Sequence, residues 1–149
     1  MSVEMLASAL IPAAPEAVYA FVTRAANDTR WTSGLVSSRV LSGEGYGPGA
    51  QIERVSRFLG RTFTYTIAVL AVEPNRKVEM STTAGPFPMQ VTYSLEPAEG
   101  GTRMSIRSAG DPGGFFALAG PLLAVAARRS MQQDLDTLRE LFAAGAARG

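Results

Sequence analysis

The segment FFALAGPLLAVAARRSMQQDLDTLRELFAA, residues 115–144, decides the fold. Its second half places Met131, Leu135, Leu138 and Phe142 three or four residues apart, which is the spacing of an amphipathic α-helix. A continuous helix over this segment would be about 45 Å long. We therefore predict that one long C-terminal helix forms a layer of the structure by itself.

The first half of this segment lies in a run of sixteen uncharged residues, 112–127. A helix that spans a bilayer needs ~20 apolar residues, whereas this run is shorter and contains three glycines and Pro121. At the other end of the chain, Glu4 stands where a signal peptide would carry basic residues. We expect a cytoplasmic protein without a membrane span.

The chain upstream of this segment predicts one strand and two short helices. Apolar residues alternate over 2–11, which is the period of a half-buried strand. Pro15 suits the first turn of a helix that we expect to reach about Ala26. Capping residues at 27–29 then predict a second short helix that ends by Gly34.

The sequence predicts β-strands throughout the region from Gly34 to Gly110. Turn-forming residues recur at short intervals and divide it into six strands, which makes seven with the first. Strands joined by such short connections pair in an antiparallel manner, since parallel pairing needs long crossovers. We predict a single α+β domain over residues 1–149, in which a curved, seven-stranded antiparallel sheet wraps around the C-terminal helix.

Composition removes most catalytic and partner classes. The chain has no cysteine and no histidine, so thiolate and imidazole chemistry and the usual zinc ligands are excluded. The net charge of +1 lacks the basic excess of a nucleic-acid-binding domain. We expect no metal, no cofactor and no nucleic-acid partner.

The order of elements and several local motifs resemble the SRPBCC superfamily, the START-like proteins of helix-grip fold, and within it the polyketide cyclase/dehydrase and lipid-transport group. The motifs that carry the resemblance are IPAAPEAVYAFVT at 11–23, NDTRWTSG at 27–34, EPNRKV at 73–78, GPFPMQVTYSLEP at 85–97, GGTRM at 100–104 and the closing helix. The resemblance implies a cavity between sheet and helix that binds a hydrophobic ligand, because family members cyclise polyketides or carry lipids or hormones there.

The residues of the long helix themselves indicate a cavity. Upstream of Met131, successive turns on the inward face reach Ala127, Leu123 with Ala124, Gly120 and Phe116. Interiors pack to crystal-like density, and most of these side chains are too small to fill a core. We therefore predict a hollow beneath the N-terminal half of the helix.

Strand parity predicts the opposite wall of this cavity. Inward positions carry apolar or small side chains and two tyrosines: Phe63, Tyr65, Met80, Thr82, Phe87, Met89, Tyr93 and Met104. An ordinary packed core would use the same apolar residues. The tyrosines are more informative, because a buried hydroxyl requires a hydrogen-bond partner or the polar end of a ligand.

Arg54 lies on a strand whose alternation can be read in two ways. If Ile52 and Phe58 point inward without interruption, Arg54 also points inward and needs an anionic partner. A bulge near Val55 would instead turn Arg54 to solvent, and this is the arrangement we expect. The inward arrangement would add Arg54 to the candidate ligand-binding residues.

Three functions fit these observations. The first is binding of a hydrophobic or amphipathic small molecule, such as a lipid or a polyketide-like compound. The second is a cyclase or dehydratase in which Tyr65, Tyr93 or Arg54 polarises a ketone, although no residue is evident as the base. The third is a protein-interaction module whose cavity is incidental.

Overall fold

A computed structural model describes residues 3–111 and 122–147 of the 149-residue chain. This part of the chain contains seven strands and three α-helices, with one 3-10 turn at Ala25–Asn27 between the first two helices. In chain order the elements are β1 (Val3–Ile11), α1 (Pro15–Val22), α2 (Asp28–Trp31), β2 (Leu35–Ser42), β3 (Gln51–Phe58), β4 (Arg61–Glu73), β5 (Lys77–Ala84), β6 (Met89–Ala98), β7 (Gly101–Gly110) and α3 (Leu122–Ala143). The predicted order of elements is confirmed.

The strands form one antiparallel sheet in the order β1-β7-β6-β5-β4-β3-β2. The six strands from β2 to β7 are a meander of hairpins, as their short connections predict. The first strand joins the far edge, where β1 pairs with β7 from Val3 opposite Gly110 to Ile11 opposite Thr102. The sheet therefore presents one continuous inner face to the rest of the molecule.

Helix α3 lies against this inner face. Leu135 and Leu138 have no solvent exposure, so the C-terminal half of the helix seals the core against the sheet. Phe142 continues the contact and packs edge-on against Phe21 of α1, with ring centroids 5.6 Å apart. Trp31 of α2 is also in the core rather than at an entrance.

One helix end, that of α1, differs from the prediction, and the predicted start of the terminal helix cannot be compared with the structure. Helix α1 ends at Val22 and not near Ala26, because the backbone leaves helical angles at Thr23 and is extended at Arg24, after which a 3-10 turn follows. The expected start of the terminal helix at Phe115 lies outside the described residues. Within 3–111 and 122–147, no helix is long and apolar enough to cross a lipid bilayer.

Candidate functional site

A cavity of about 220 Å³ lies between the sheet and the N-terminal half of α3. It is larger than the engineered cavity of about 150 Å³ that holds benzene in another protein. The described residues that line it are Val3, Met5, Thr32, Ser33, Ser56, Arg57, Phe58, Phe63, Tyr65, Phe87, Met89, Ser108, Gly110, Leu123, Ala127, Ser130, Met131 and Asp134. Most of this lining is apolar, and the polar side chains come mainly from α3, from β3 and from the turn after α2.

Six of the residues predicted from the sequence line this cavity: Phe63, Tyr65, Phe87, Met89, Leu123 and Ala127. Three others, Met80, Tyr93 and Met104, are at most 3% exposed and belong to the packed core instead. Thr82 accepts a hydrogen bond from the Met89 backbone N–H at 2.9 Å and does not reach the cavity. Phe116 and Gly120 lie outside the described residues.

Ala124 was expected on the inward face, but it is exposed and does not line the cavity. An α-helix turns about 100° per residue, so Leu123 and Ala127, four apart, share a face that Ala124 leaves. The stripe over the cavity continues from Ala127 to Met131 and Asp134. The sequence pattern therefore predicted the correct spacing of the inward residues of α3, but it assigned one residue too many, Ala124, to the inward face.

Aromatic rings form one wall. The Phe63 ring lies between those of Tyr65 and Phe87, with ring centroids 5.7 Å and 5.8 Å away. Gly85, in the turn between β5 and β6, approaches this wall closely: a Cβ at that position would lie 2.8 Å from the Tyr65 Cβ. Its φ of +146° is also one that other residues rarely adopt. Glycine is thus required beside Tyr65.

Asp134 of α3 forms the polar end of the cavity. Its side chain is buried, and Oδ1 accepts a hydrogen bond from the Ser33 backbone N–H at 2.7 Å. The Ser33 and Ser130 hydroxyls lie 2.9 Å apart beside it. Burial raises the pKa of Asp134 to about 6, although the hydrogen bonds from Ser33 and the charge of Arg54 oppose the shift. A carboxylic acid that titrates near neutral pH therefore faces the cavity.

Asp134 was not among the residues predicted from the sequence, although a signal for it exists. It stands three residues after Met131 and four before Leu138, which are both positions of the apolar stripe. An acidic residue at such a position is directed toward the interior, where a charged group is costly unless it has a role or a partner. Helical spacing alone would have selected it as a candidate.

We expect Asp134→Asn to make the protein more stable above pH 6 and to flatten the dependence of stability on pH. Because the pKa is raised to about 6 from an ordinary value of 3.8, the folded state holds a proton that the unfolded state has released between these values. Stability from this group is therefore greatest below about 4 and is lost as the pH rises through 6. The difference between these limits is about 3 kcal/mol, since the pKa is raised by about two pH units. Urea unfolding at pH 4.5 to 8 measures it, with Asp136→Asn at an exposed position of α3 as the control.

Arg54 points inward, so the expected turn of its side chain to solvent is wrong. Strand β3 pairs with β4 without interruption from Gln51 to Phe58, and no bulge occurs at Val55. The register shifts between β2 and β3 instead place the extra residues in β2, between Leu35 and Ser42. Alternation along β3 is therefore unbroken, and Arg54 is only 6% exposed.

The anionic partner that a buried arginine requires is Asp28 of α2. Arg54 Nη2 donates a hydrogen bond to Asp28 Oδ2 at 3.2 Å, and the Ser38 hydroxyl donates to the same oxygen at 2.7 Å. The Tyr46 hydroxyl donates to that oxygen and accepts from Arg54. Burial raises the pKa values of Tyr46 and Tyr93, the latter to about 12, so both phenols stay neutral. This cluster holds the ion pair beside the cavity, not in its lining.

Asp28 and Tyr46 were not predicted either, for a different reason. Asp28 lies in the run Asn27-Asp28-Thr29, which predicts a helix cap, and its carboxylate is used for the ion pair. Tyr46 lies in the glycine-rich stretch 43–49, which has no periodicity that would assign a direction to a side chain. These two contacts depend on the fold, and no local signal reveals them.

Comparison with known structures agrees with this architecture. Protein TTHA0849 from Thermus thermophilus has a TM-score of 0.83 at 20% identity, over 96% of this chain and 99% of that one. A START superfamily protein from Mycobacterium smegmatis scores 0.81 at 14% identity, over 95% and 98% of the two chains. The Zhui aromatase/cyclase from a Streptomyces species scores 0.79 at 12% identity, over 96% and 94%.

Sequence comparison assigns the family. No curated protein sequence matches this chain. The family model described as polyketide cyclase / dehydrase and lipid transport matches residues 2–143, which is nearly the whole length. With the helix-grip architecture, this match shows that the chain belongs to the polyketide cyclase/dehydrase and lipid-transport family of the START-like SRPBCC superfamily.

Proposed function

We propose that this protein binds a hydrophobic or amphipathic small molecule in the cavity beneath α3. The observation that carries the proposal is the change in packing along that one helix. Leu135 and Leu138 fill the interior completely, whereas Leu123, Ala127 and Ser130, toward the N-terminus, border open volume. Protein interiors otherwise pack to crystal-like density, so a hollow of this size with apolar walls favours a guest molecule.

The cavity lining suits a ligand with an apolar body and one polar end. The rings of Phe63, Tyr65 and Phe87 suit an apolar or aromatic body, because ring edges and faces pack well at these spacings. The groups around Asp134 suit one polar substituent. An amphipathic compound with a single polar end matches this division better than a uniformly apolar one.

Ala127→Phe is expected to weaken binding at least about tenfold, because the new ring would occupy the cavity. Titration with a neutral fluorescent probe such as N-phenyl-1-naphthylamine, together with native mass spectrometry of co-purified small molecules, measures the effect. Ala124→Phe makes the same change on the exposed side of α3 and serves as the control. Equal binding by wild type and Ala127→Phe would refute binding at this site, and absence of any bound molecule would favour the interaction module.

A second candidate function is a cyclase or dehydratase acting on a polyketide-like chain. Asp134 favours it, since a cavity-lining carboxyl with a pKa of about 6 can serve as a general base near neutral pH. The Tyr65 hydroxyl, 3.5 Å from the Ser56 hydroxyl, faces the same volume and can donate to a ketone oxygen. Two related structures are described as aromatase/cyclases. Product formation from an aromatic polyketone separates this function from binding alone.

A further inference from the structure

The charges around the cavity are unevenly compensated. Two carboxylates and one guanidinium are buried here: Asp28, Asp134 and Arg54. Arg54 forms its ion pair with Asp28, which lies at 3.2 Å. Asp134 forms no ion pair within the described residues. Its hydrogen-bond partner there is the neutral Ser33. When Asp134 is ionised, the buried groups therefore carry a net charge of −1.

The uncompensated charge is the one that faces the ligand volume. Asp134 lines the cavity, whereas Asp28 and Arg54 lie behind its wall. A carboxylate has about four acceptor sites, of which the backbone and side-chain hydrogen bonds from Ser33 use two. The remaining capacity is directed to the cavity, whose lining is mostly apolar, so an opposite charge or a donor is attracted more strongly there than in bulk water.

We propose that the ligand of this cavity carries a protonated amine at its polar end, which pairs with the Asp134 carboxylate while the aromatic wall holds its apolar body. This inference rests on the proposed binding function and specifies the class of ligand. A charge-assisted hydrogen bond between an ammonium and a buried carboxylate is stronger than a bond between neutral groups. The Ser130 and Thr32 hydroxyls, which also line the cavity, can accept the other ammonium protons.

An anionic head group is the alternative, and the positions of the arginines disfavour it. Arg57 contributes to the cavity lining, but it is exposed and has the outward parity of β3, opposite to that of Arg54. Arg54 is already paired with Asp28 and hydrogen bonded to Tyr46. A carboxylate ligand would instead meet the like charge of Asp134, which lowers its affinity.

The pairing makes a specific prediction about pH. The charged and titratable groups around Asp134 are Arg54 and the cavity-lining Arg57 of β3, Asp28 of α2, which pairs with Arg54, and the phenol of Tyr65 of β4. The pKa of Asp134 is about 6 without ligand, and a bound ammonium lowers it below that value. An amine keeps its proton and an alcohol stays neutral throughout this range, so the ratio of their affinities follows the charge of Asp134 alone.

The test compares phenylbutylamine, phenylbutanol and phenylbutanoic acid, which share one apolar body and differ in the polar end. Calorimetric titration at pH 7.5 is expected to show the amine binding at least tenfold more tightly than the acid. The advantage of the amine over the alcohol should disappear as the pH falls below 6. In Asp134→Asn the amine should bind no better than the alcohol, and Asp136→Asn should behave as wild type.

The possible failures can be told apart. If none of the three compounds binds, and other apolar probes also fail, the proposed function itself is wrong. If they bind but the acid equals or exceeds the amine at pH 7.5, or if the amine-to-alcohol ratio does not change with pH, the amine assignment is wrong and the binding function stands. The wild-type measurements decide this without any variant, so a folding defect in Asp134→Asn does not affect the outcome.

Discussion

Replacing Arg54 with methionine is expected to lower the free energy of unfolding by about 3–5 kcal/mol. The Asp28 carboxylate would keep its hydrogen bonds from Ser38 and Tyr46 but lose the cation that compensates its charge in a fully buried position. Asp28→Asn should also destabilise, because it leaves the guanidinium of Arg54 buried without a counter-ion. Urea unfolding monitored by the fluorescence of Trp31 measures both losses.

The neighbouring pair of residues provides a matched control. Arg39 on β2 pairs with Glu53 on β3 at 3.0 Å, one residue along each strand from Ser38 and Arg54. This ion pair is exposed to solvent, so Arg39→Met should cost less than about 1 kcal/mol. The double variant Asp28→Asn with Arg54→Met should be more stable than the sum of the single losses implies, since neither charge remains unpaired. Additive losses, or a loss at Arg54 no larger than at Arg39, would contradict a buried and coupled pair.

Most of the fold could be predicted from the sequence because its determinants are local. Turn residues separate the strands, and the spacing of Leu135 and Leu138 defines the buried side of α3. The end of α1 at Val22 was not predictable with the same accuracy, since the chain becomes extended at Arg24 and the Asn27 side-chain amide then donates a buried hydrogen bond to the Phe21 carbonyl at 3.1 Å. Boundaries of this kind depend on single contacts and not on a repeating pattern.

The candidate site was predictable only in part, because parity gives the direction of a side chain but not its position under the helix. Tyr65 and Tyr93 have the same inward direction, yet Tyr65 lines the cavity and Tyr93 packs edge-on against Trp31 in the core, with ring centroids 5.7 Å apart. Which residue meets open volume depends on where α3 changes from large to small side chains above the sheet. For Arg54, strand parity gives the direction but not the partner. Unbroken alternation along β3 requires Arg54 to point inward, whereas Asp28 comes near it only in the folded structure.

The same substitution at two points of α3 should have very different costs. Leu138→Ala is expected to lower the free energy of unfolding by about 2–5 kcal/mol, because it removes a side chain with no exposure and leaves a void in tightly packed core. Leu123→Ala should cost about 1 kcal/mol or less, since Leu123 is half-buried and one side of it already borders the cavity. Urea unfolding curves of the two variants and the wild type give both values, provided that their slopes agree.

This comparison tests the hollow without reference to any ligand. The two variants lose the same atoms from the same helix, and the change from leucine to alanine alters helix propensity only slightly, so the difference in cost reports mainly the packing. Leu123→Ala should also widen the cavity and admit larger apolar probes, whereas Leu138→Ala should not. If the two substitutions cost the same, the N-terminal half of α3 packs as densely as the C-terminal half. The protein would then have no room for a guest, and both the binding proposal and the role of Asp134 would lose their physical basis.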